Sequence, residues 1–80
     1  MIKTIKMPRL SANMEEGVIV SFNKQPGEKV EKGDVLFEVE TDKVVSEVES
    51  LENGTLKKIH FKEGDSIKVD ETVAEIEIEE

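Results

Sequence analysis

Every second residue is apolar along several short stretches of the chain, which is the pattern of a β-strand with one buried face. The two clearest stretches are 35–40 and 74–79, where Val, Phe, Ala or Ile alternates with residues that are mostly glutamate. Turn-forming sequences separate the strand-like stretches: QPGEK at 25–29, EKGD at 31–34, ENG at 52–54 and KEGD at 62–65. No segment shows ten residues of helical periodicity, so the pattern predicts a small all-β sandwich or barrel.

The pattern occurs twice. A shift of 37 residues aligns the segments 17–40 and 54–77 without a gap, and the apolar positions agree better than the identities. The matched pairs are Gly17 with Gly54, Gly27 with Gly64, Ile19 with Leu56, Phe22 with Ile59, Val30 with Ile67, Leu36 with Val73, Glu38 with Glu75, Val39 with Ile76 and Glu40 with Glu77. The repeat predicts two copies of one strand–turn–strand unit related by an approximate two-fold axis. The spacing from Ile19 to Phe22 breaks the alternation in both copies and predicts a β-bulge in each.

Two glycines are expected to serve the backbone. Pro26-Gly27 has the sequence of a type II turn, in which the glycine supplies a positive φ. Asn53-Gly54 favours a tight turn for the same reason. Neither glycine precedes a helix, so neither is expected to bind phosphate.

Composition excludes several classes of function. Eighty residues form one domain, whose thin core leaves little room for a substrate pocket. There is no cysteine and only one histidine, which excludes a disulfide framework, a thiolate metal site and a site of several histidines. The net charge of −8 argues against nucleic acid as a partner. No apolar run has the length of a membrane span and no secretory signal is present, so we expect a bacterial cytoplasmic location and no membrane.

Lys43 stands alone in the segment ETDKVVSEVES, between the two copies of the repeat. One strand is predicted to end at Glu40 and the next to begin at Val45, which leaves residues 41–44 for a tight turn. In the 37-residue alignment the counterpart of Lys43 is Lys6. A two-fold fold would then place the Lys43 turn at one end of the domain and the chain termini at the other.

The residues around Lys43 resemble the attachment hairpin of lipoyl domains from 2-oxo acid and acetoin dehydrogenase complexes. MPRLSANMEEGVIV, residues 7–20, resembles the N-terminal segment of those domains, and the resemblance covers essentially the whole chain. It implies a flattened β-barrel of two four-stranded antiparallel sheets with two-fold pseudo-symmetry. It also implies that Lys43 carries lipoic acid in amide linkage. Asp42, together with Glu40, Thr41 and Val44, would set the geometry of the turn and its recognition by enzymes. Gly27 and Gly54 would be structural glycines.

The resemblance further implies a carrier domain without an active site of its own. Its partners would be a thiamine-diphosphate enzyme (E1), the acyltransferase core (E2), the flavoprotein dihydrolipoamide dehydrogenase (E3) and a lipoate ligase or lipoyl transferase. Residues 1–80 would be the N-terminal part of a longer acyltransferase chain, and the isolated domain would be monomeric. The loop before Gly17 is expected to lie beside the Lys43 turn and to take part in partner recognition; its residues are Leu10, Ser11, Ala12, Asn13, Met14, Glu15 and Glu16.

The sequence departs from the lipoyl pattern at two positions. Val44 replaces the alanine that more usually follows the lysine, and Lys24 occupies a position that is commonly apolar. The motif MPRLSANMEEG favours a pyruvate or acetoin complex, since oxoglutarate and branched-chain types more often read PDIGEG or PxLxESV-like there. The 2-oxo acid itself stays undetermined at this point.

Other functions are compatible with parts of the sequence. A biotinyl carrier domain would have methionines on both sides of the lysine, and a non-modified lipoyl-like adaptor often has a helical insertion at the turn. The glycine-cleavage carrier protein is longer and has additional helices. An autonomous enzyme would need a polar cluster, and the carboxylate pairs Glu38 with Glu40 and Glu75 with Glu77 are more simply outward strand positions. His60 is likewise expected to be a strand residue.

Overall fold

The strands of the computed structural model, which describes residues 1–78, follow the predicted alternation. In chain order they are β1 (Ile2–Lys6), β2 (Glu16–Phe22), β3 (Lys29–Val30), β4 (Val35–Thr41), β5 (Val44–Glu49), β6 (Gly54–Ile59), β7 (Ser66–Lys68) and β8 (Thr72–Ile78). No helix occurs within residues 1–78. The predicted alternation at 74–79 is therefore confirmed as far as Ile78, and Glu79 lies outside the described residues.

The strands form two antiparallel four-stranded sheets. One has the order β1-β8-β6-β3 and the other the order β5-β4-β2-β7. The two orders become the same when β1 is matched with β5, β8 with β4, β6 with β2 and β3 with β7. This is the two-fold pseudo-symmetry that the repeat predicted, and the all-β fold of two four-stranded sheets is confirmed.

The predicted correspondence of Lys43 with Lys6 is wrong. In the strand pairs, Ile2 lies opposite Glu77 as Val45 lies opposite Glu40, so Ile2 is the counterpart of Val45 and β1 is related to β5 by 43 residues. The shift differs from 37 by six because Gly17 follows Ile2 by 15 residues, whereas its counterpart Gly54 follows Val45 by nine. By this relation the counterpart of Lys43 falls before Met1.

The two ends of the described chain lie far from the Lys43 turn. The amide of Ile78 donates a hydrogen bond of 2.8 Å to the carbonyl of Met1. β5 leads away from Lys43 towards the connection 50–53, and Gly54 at the start of β6 pairs with Ile78. Lys43 therefore lies at one end of the sheets and Met1 and Ile78 lie at the other, which agrees with the predicted arrangement as far as the described residues extend.

The bulges fall where the spacing predicted them. The register shifts between Ile19 and Ser21 in the pairing of β2 with β4, and between Leu56 and Lys58 in the pairing of β6 with β8. β4 contains a further irregularity in its pairing with β5, so that Leu36 and Phe37 are both buried despite being neighbours. The core between the sheets contains Met7, Met14, Ile19, Val30, Leu36, Phe37, Val39, Leu56, Ile67, Val73, Ala74 and Ile76.

The two structural glycines serve different purposes. Gly27 has φ +96° in an exposed turn, as its Pro-Gly sequence predicted. Gly54 is not among the residues with positive φ, so the prediction for Asn53-Gly54 is wrong. Gly54 is a buried strand residue, and a Cβ on it would lie 2.0 Å from the carbonyl oxygen of Glu77. Only glycine lets β6 approach β8 this closely.

Four turns repeat one hydrogen-bond arrangement. In each, the amide of the fourth residue donates to the carbonyl of the first, and the carboxylate of the fourth accepts from the amide of the first. The third residue has a positive φ, between +74° and +96°. The turns are 25–28 and 62–65, which the two-fold axis relates to each other, and 31–34 and 68–71, which it relates likewise. We call these the carboxylate-capped turns.

Candidate functional site

The Lys43 turn is tighter than the sequence suggested. The pairing of β4 with β5 continues to Thr41 opposite Val44, so Asp42 and Lys43 alone form the turn. The predicted four-residue turn is therefore wrong, because Thr41 and Val44 are strand residues. Asp42 has φ +47° and Lys43 has φ +67°. Positive φ at both central residues is the backbone of a type I′ hairpin turn, which matches the right-handed twist of the strands.

Lys43 is presented to solvent by this turn. Its side chain is exposed, and within residues 1–78 its ammonium group has no hydrogen-bond or ion-pair partner. Val44 beside it is 59% exposed. Because β4 and β5 are paired up to the residues that flank the turn, the base on which Lys43 stands is fixed while its side chain is free to move.

The connection between β1 and β2, residues 7–15, packs against the base of the turn. Met7 and Met14 are buried in the core. The guanidinium of Arg9 donates hydrogen bonds to the carbonyl of Met14 at 2.6 Å and to the carbonyl of Ala12 at 3.5 Å. The amide of Met14 donates to the carbonyl of Ser11. Buried anchors and internal hydrogen bonds therefore hold this long loop in one place.

Gly17 allows the loop to come close to the turn. A Cβ at Gly17 would lie 2.5 Å from Cγ1 of Val39, 3.1 Å from Cε of Met14 and 3.3 Å from Cγ2 of Thr41. The first distance is shorter than a Cβ contact allows, so any other residue here would force the Val39 side chain or β2 itself to move. Gly17 is the two-fold counterpart of Gly54, and both allow a close approach.

A shallow groove of about 290 Å³ separates the loop from the turn. Seven of the predicted site residues line the groove, together with Gly17, Val18 and Ser66: they are Asn13, Met14, Glu15, Glu16, Glu40, Thr41 and Asp42. Leu10, Ser11 and Ala12 are exposed on the same loop but do not line the groove, and neither do Lys43 and Val44. The predicted proximity of loop and turn is thus present in the structure.

Two residues that were predicted in the recognition loop do not belong to its exposed surface: one is buried and the other lies in a strand. Met14 is only 4% exposed, so it anchors the loop and offers little surface to a partner. Glu16 is the first residue of β2 and pairs with Lys68 of β7. Gly27 and Gly54 line neither the groove nor the turn.

Four exposed carboxylates surround the groove. Glu15, Glu16, Glu40 and Asp42 are all exposed, and we call them the acidic rim. Carboxylates at this spacing produce a negative potential at the base of Lys43, which attracts a basic surface.

The sequence did not indicate the roles of Arg9 and Gly17. Nothing in the pattern distinguishes Arg9 from other surface cations, since its hydrogen bonds depend on the path of the loop. Gly17 had a signal, because it aligned with Gly54 in the repeat, but that match does not reveal which atoms would collide with a side chain.

The remaining carboxylate pairs do not converge on a common point. Glu38 accepts a hydrogen bond from Ser21, Glu75 lies 2.6 Å from Nε2 of His60, and Glu77 lies 2.6 Å from the amino group of Met1. Residues 1–78 contain no group of three or more His, Cys, Asp or Glu that could hold a metal ion. Within the same residues no helix has the length and apolarity needed to cross a membrane.

Comparison with known proteins assigns the chain to a family. A family model for biotin and lipoyl attachment domains, described as "Biotin-requiring enzyme", matches residues 3–76. The lipoyl domain of the 2-oxoglutarate dehydrogenase complex of Azotobacter vinelandii has a similar structure, with a TM-score of 0.77 and 31% sequence identity over 92% of this chain and 94% of that one.

Curated relatives are longer proteins. The succinyltransferase component of the 2-oxoglutarate dehydrogenase complex of Cupriavidus necator is 40% identical over 98% of this chain and 19% of its own length. Acetyltransferase component 2 of the mitochondrial pyruvate dehydrogenase complex of Arabidopsis thaliana is 49% identical over 88% of this chain and 13% of its own length. The chain thus spans less than a fifth of the length of these two relatives. It belongs to the biotin/lipoyl attachment family as a lipoyl domain of the 2-oxo acid dehydrogenase type, whose cofactor is a lipoyl group on a lysine.

Proposed function

We propose that Lys43 is the residue that carries the lipoyl group. The observation that supports this most strongly is its position: it is an exposed lysine at the tip of a two-residue hairpin, and its ammonium group has no hydrogen-bond or ion-pair partner among residues 1–78. The residues present suit an amide-linked arm, because Nζ is accessible and no neighbouring group has to be displaced. Amide formation would remove one positive charge and place the arm above the acidic rim.

The domain would act as a carrier and not as the catalyst. When bound, the lipoyl group supplies the disulfide–dithiol chemistry that a chain without cysteine lacks. The hairpin fixes the base of the arm, and the loop 7–15 with the acidic rim gives partner enzymes a surface to contact. Tethering raises the effective concentration of the arm at each partner site.

The proposed partners follow from the relatives. Those relatives are components of 2-oxoglutarate and pyruvate dehydrogenase complexes. For this chain we propose a thiamine-diphosphate E1, an acyltransferase E2 core and the E3 flavoprotein, with a lipoate ligase or lipoyl transferase for attachment. Relatives from both kinds of complex are similar to the chain, so the preference for pyruvate or acetoin stays a prediction from MPRLSANMEEG.

The biotinyl alternative has less support. Lys43 lies between Asp42 and Val44, without the flanking methionines of biotinyl domains. An unmodified adaptor has less support too, because the two halves of this domain are joined by a two-residue turn without an insertion. We therefore retain the lipoyl carrier as the proposed function.

Incubation with a lipoate ligase, ATP and lipoate is the direct test of attachment. We expect one lipoyl group on the native domain and none on Lys43→Arg, because arginine keeps the charge but cannot form the amide under these conditions. Intact mass measures the number of groups, and peptide mapping identifies the residue. Lys6→Arg is the matched control and should be lipoylated like the native domain. A lipoyl group found on another lysine would refute the assignment.

A further inference from the structure

The edges of the two sheets are not equally protected. An edge strand has unpaired amides and carbonyls that invite another strand, and proteins protect edges by short strands, lysine or proline. Here the edges are β1 and β3 in one sheet and β5 and β7 in the other. β3 and β7 have only two and three residues, and β1 contains Lys3 and Lys6. β5 has six residues, VVSEVE, with neither lysine nor proline, so among these four edges it is the one without such protection.

The hairpin determines which backbone groups of β5 point outward. In a two-residue hairpin the residues flanking the turn, Thr41 and Val44, form a hydrogen-bonded pair. Hydrogen-bonded residues alternate along an antiparallel pair, so the amides and carbonyls of Val45 and Glu47 point away from β4. Val45 is 52% exposed and lies two residues beyond Lys43. A strand added at this edge would be held in a defined register relative to Lys43.

The charges beside this edge select the kind of strand that fits. Glu40, Asp42 and Glu47 are exposed at the part of the edge beside the turn, where Lys43 is the only cation between residues 40 and 49. Glu49, at the other end of β5, lines a groove with Lys3 and Lys6 of β1. A second copy of β5 would bring the same carboxylates into contact, and like charges placed opposite each other are unfavourable. A strand with lysine or arginine complements the edge.

Chemistry indicates which enzyme supplies that strand. In attachment from a lipoyl adenylate, the ammonium of Lys43 first gives one proton to water, and the neutral Nζ then forms a bond to the acyl carbon. The bond from that carbon to the AMP oxygen breaks, AMP leaves, and a second proton passes from the nitrogen to water, which leaves the amide N–H. Before modification, Nζ of Lys43 is separated from the backbone only by the four methylene groups of its own side chain. The attaching enzyme must therefore come against the hairpin itself, whereas later partners meet the far end of a longer arm.

We infer that the open edge of β5 is the docking site for the enzyme that acylates Lys43, which adds a basic strand to the amides and carbonyls of Val45 and Glu47. The inference rests on the proposed function and adds the contact by which one lysine is chosen. Backbone pairing gives affinity and register, and the carboxylates give the preference for a basic strand.

Two measurements test this docking. Val45→Pro removes an outward amide without removing a bond to β4, so lipoylation by a lipoate ligase should slow on the order of tenfold relative to Val45→Thr, which keeps the amide. Thr4→Pro makes the equivalent change on β1, and its rate should equal that of the native domain. In the Lys43→Arg domain, which binds without reacting, hydrogen exchange of the Val45 and Glu47 amides should slow when the ligase is added.

A charge variant covers the case in which Val45→Pro does not fold. Glu47→Lys protects the edge as Lys3 and Lys6 protect β1, and it should slow lipoylation, whereas Glu31→Lys, in the turn before β4, should not. Equal rates for Val45→Pro and Val45→Thr, or for Glu47→Lys and the native domain, would overturn the inference while leaving Lys43 as the acceptor.

A dimer of the native domain that Val45→Pro dissociates would overturn it by assigning the edge to a second copy. Absence of lipoylation at Lys43 in the native domain would instead remove the proposed function itself.

Discussion

At the scale of single residues, the structure places side chains where glycine would be easier to accommodate. Asp42, Lys43 and Asp70 all have positive φ, and the two-fold counterpart of Asp70 is Gly33 with φ +95°. For residues other than glycine, a left-handed backbone costs about 1–2 kcal/mol. A two-residue hairpin would accept Asn-Gly without this cost. The presence of lysine at Lys43 is therefore explained by its amine and not by the backbone.

Lys43→Gly should stabilise the domain by about 0.5–1 kcal/mol. The substitution relieves the left-handed strain, and part of the gain is offset by the greater freedom of glycine in the unfolded chain. Lys43→Ala keeps the strain and should change the free energy of unfolding by about 0.5 kcal/mol or less. Urea unfolding of the three proteins measures both effects. A glycine variant less stable than the native domain would show that Lys43 has a structural role.

At the scale of elements, the carboxylate-capped turns join the strands. The amides of the first and fourth residues are satisfied within each turn, whereas the amide of the third and the carbonyl of the fourth bond to a residue distant in sequence. That residue is Leu56 for the turn 25–28, Ser50 for 31–34, Ile19 for 62–65 and Met7 for 68–71, so each turn is also tied to another part of the sheets. In the turn 31–34, Asp34 accepts a 2.9 Å hydrogen bond from the amide of Glu31 and lies 3.4 Å from Nζ of Lys24. The hydrogen bond from Glu31 is the main cause that lowers the pKa of Asp34, and the charge of Lys24 lowers it further. Lys24, unusual at an apolar position of the family, thus has a partner.

Lowering the pH should remove the contribution of Asp34 to stability. Its pKa is lower in the folded state than in the unfolded state, so the contribution is complete above the unfolded pKa and is lost as the pH falls through the folded pKa. The midpoint of urea unfolding should therefore be higher for the native domain than for Asp34→Asn at about pH 6, and the difference should disappear as the pH falls below the folded pKa of Asp34. Lys24→Gln keeps the hydrogen bond from the amide of Glu31 to Asp34. In that background the difference in midpoint that Asp34→Asn causes should therefore shrink only in part. A difference in midpoint that does not change with pH would show that it does not come from the ionisation of Asp34.

The elements also show how far the sequence could predict the structure. Alternation predicted β4 and β8, and the spacing from Ile19 to Phe22 predicted both bulges, because these patterns report which side chains face the core. The two-residue turn at Lys43 was not predictable, since the pairing of Thr41 with Val44 depends on how far the ladder extends. The Lys6 error arose because the alignment of β2–β4 with β6–β8 was extended across loops of unequal length. The close contacts of Gly17 and Gly54 depend on neighbours that are distant in sequence.

At the scale of the whole molecule, the acidic surface and the position of the turn act together. The formal net charge is −8, and the acidic rim lies at the end that carries Lys43. A basic entrance on the thiamine-diphosphate enzyme would be attracted to this end, and the attraction would weaken as salt shortens the Debye length to about 8 Å at 0.15 M. The same charges also oppose self-association.

Glu15→Gln with Glu16→Gln should lower the rate of reductive acylation by the cognate thiamine-diphosphate enzyme at low salt, while attachment at Lys43 continues. The physical reason is the loss of two of the four rim carboxylates, so the difference should shrink as salt is added. Glu31→Gln with Glu52→Gln makes the same charge change away from the rim and serves as the control. Equal acylation of the rim variant and the native domain at low salt would leave the rim without a part in recognition.

The pairing of β1 with β8 has a topological consequence. The two-fold axis relates the gap between Ile78 and Met1 to the gap that Asp42 and Lys43 bridge, since Val45 corresponds to Ile2 and Glu40 to Glu77. Glu79 and Glu80 follow Ile78 in the sequence, so a peptide bond from Glu80 to Met1 would leave two residues between Ile78 and Met1, as many as lie between Thr41 and Val44, and would close the eight strands into a covalent ring. In such a circular chain every connection would be equivalent to one other, and the backbone could be cut at any of them without changing which strands are neighbours.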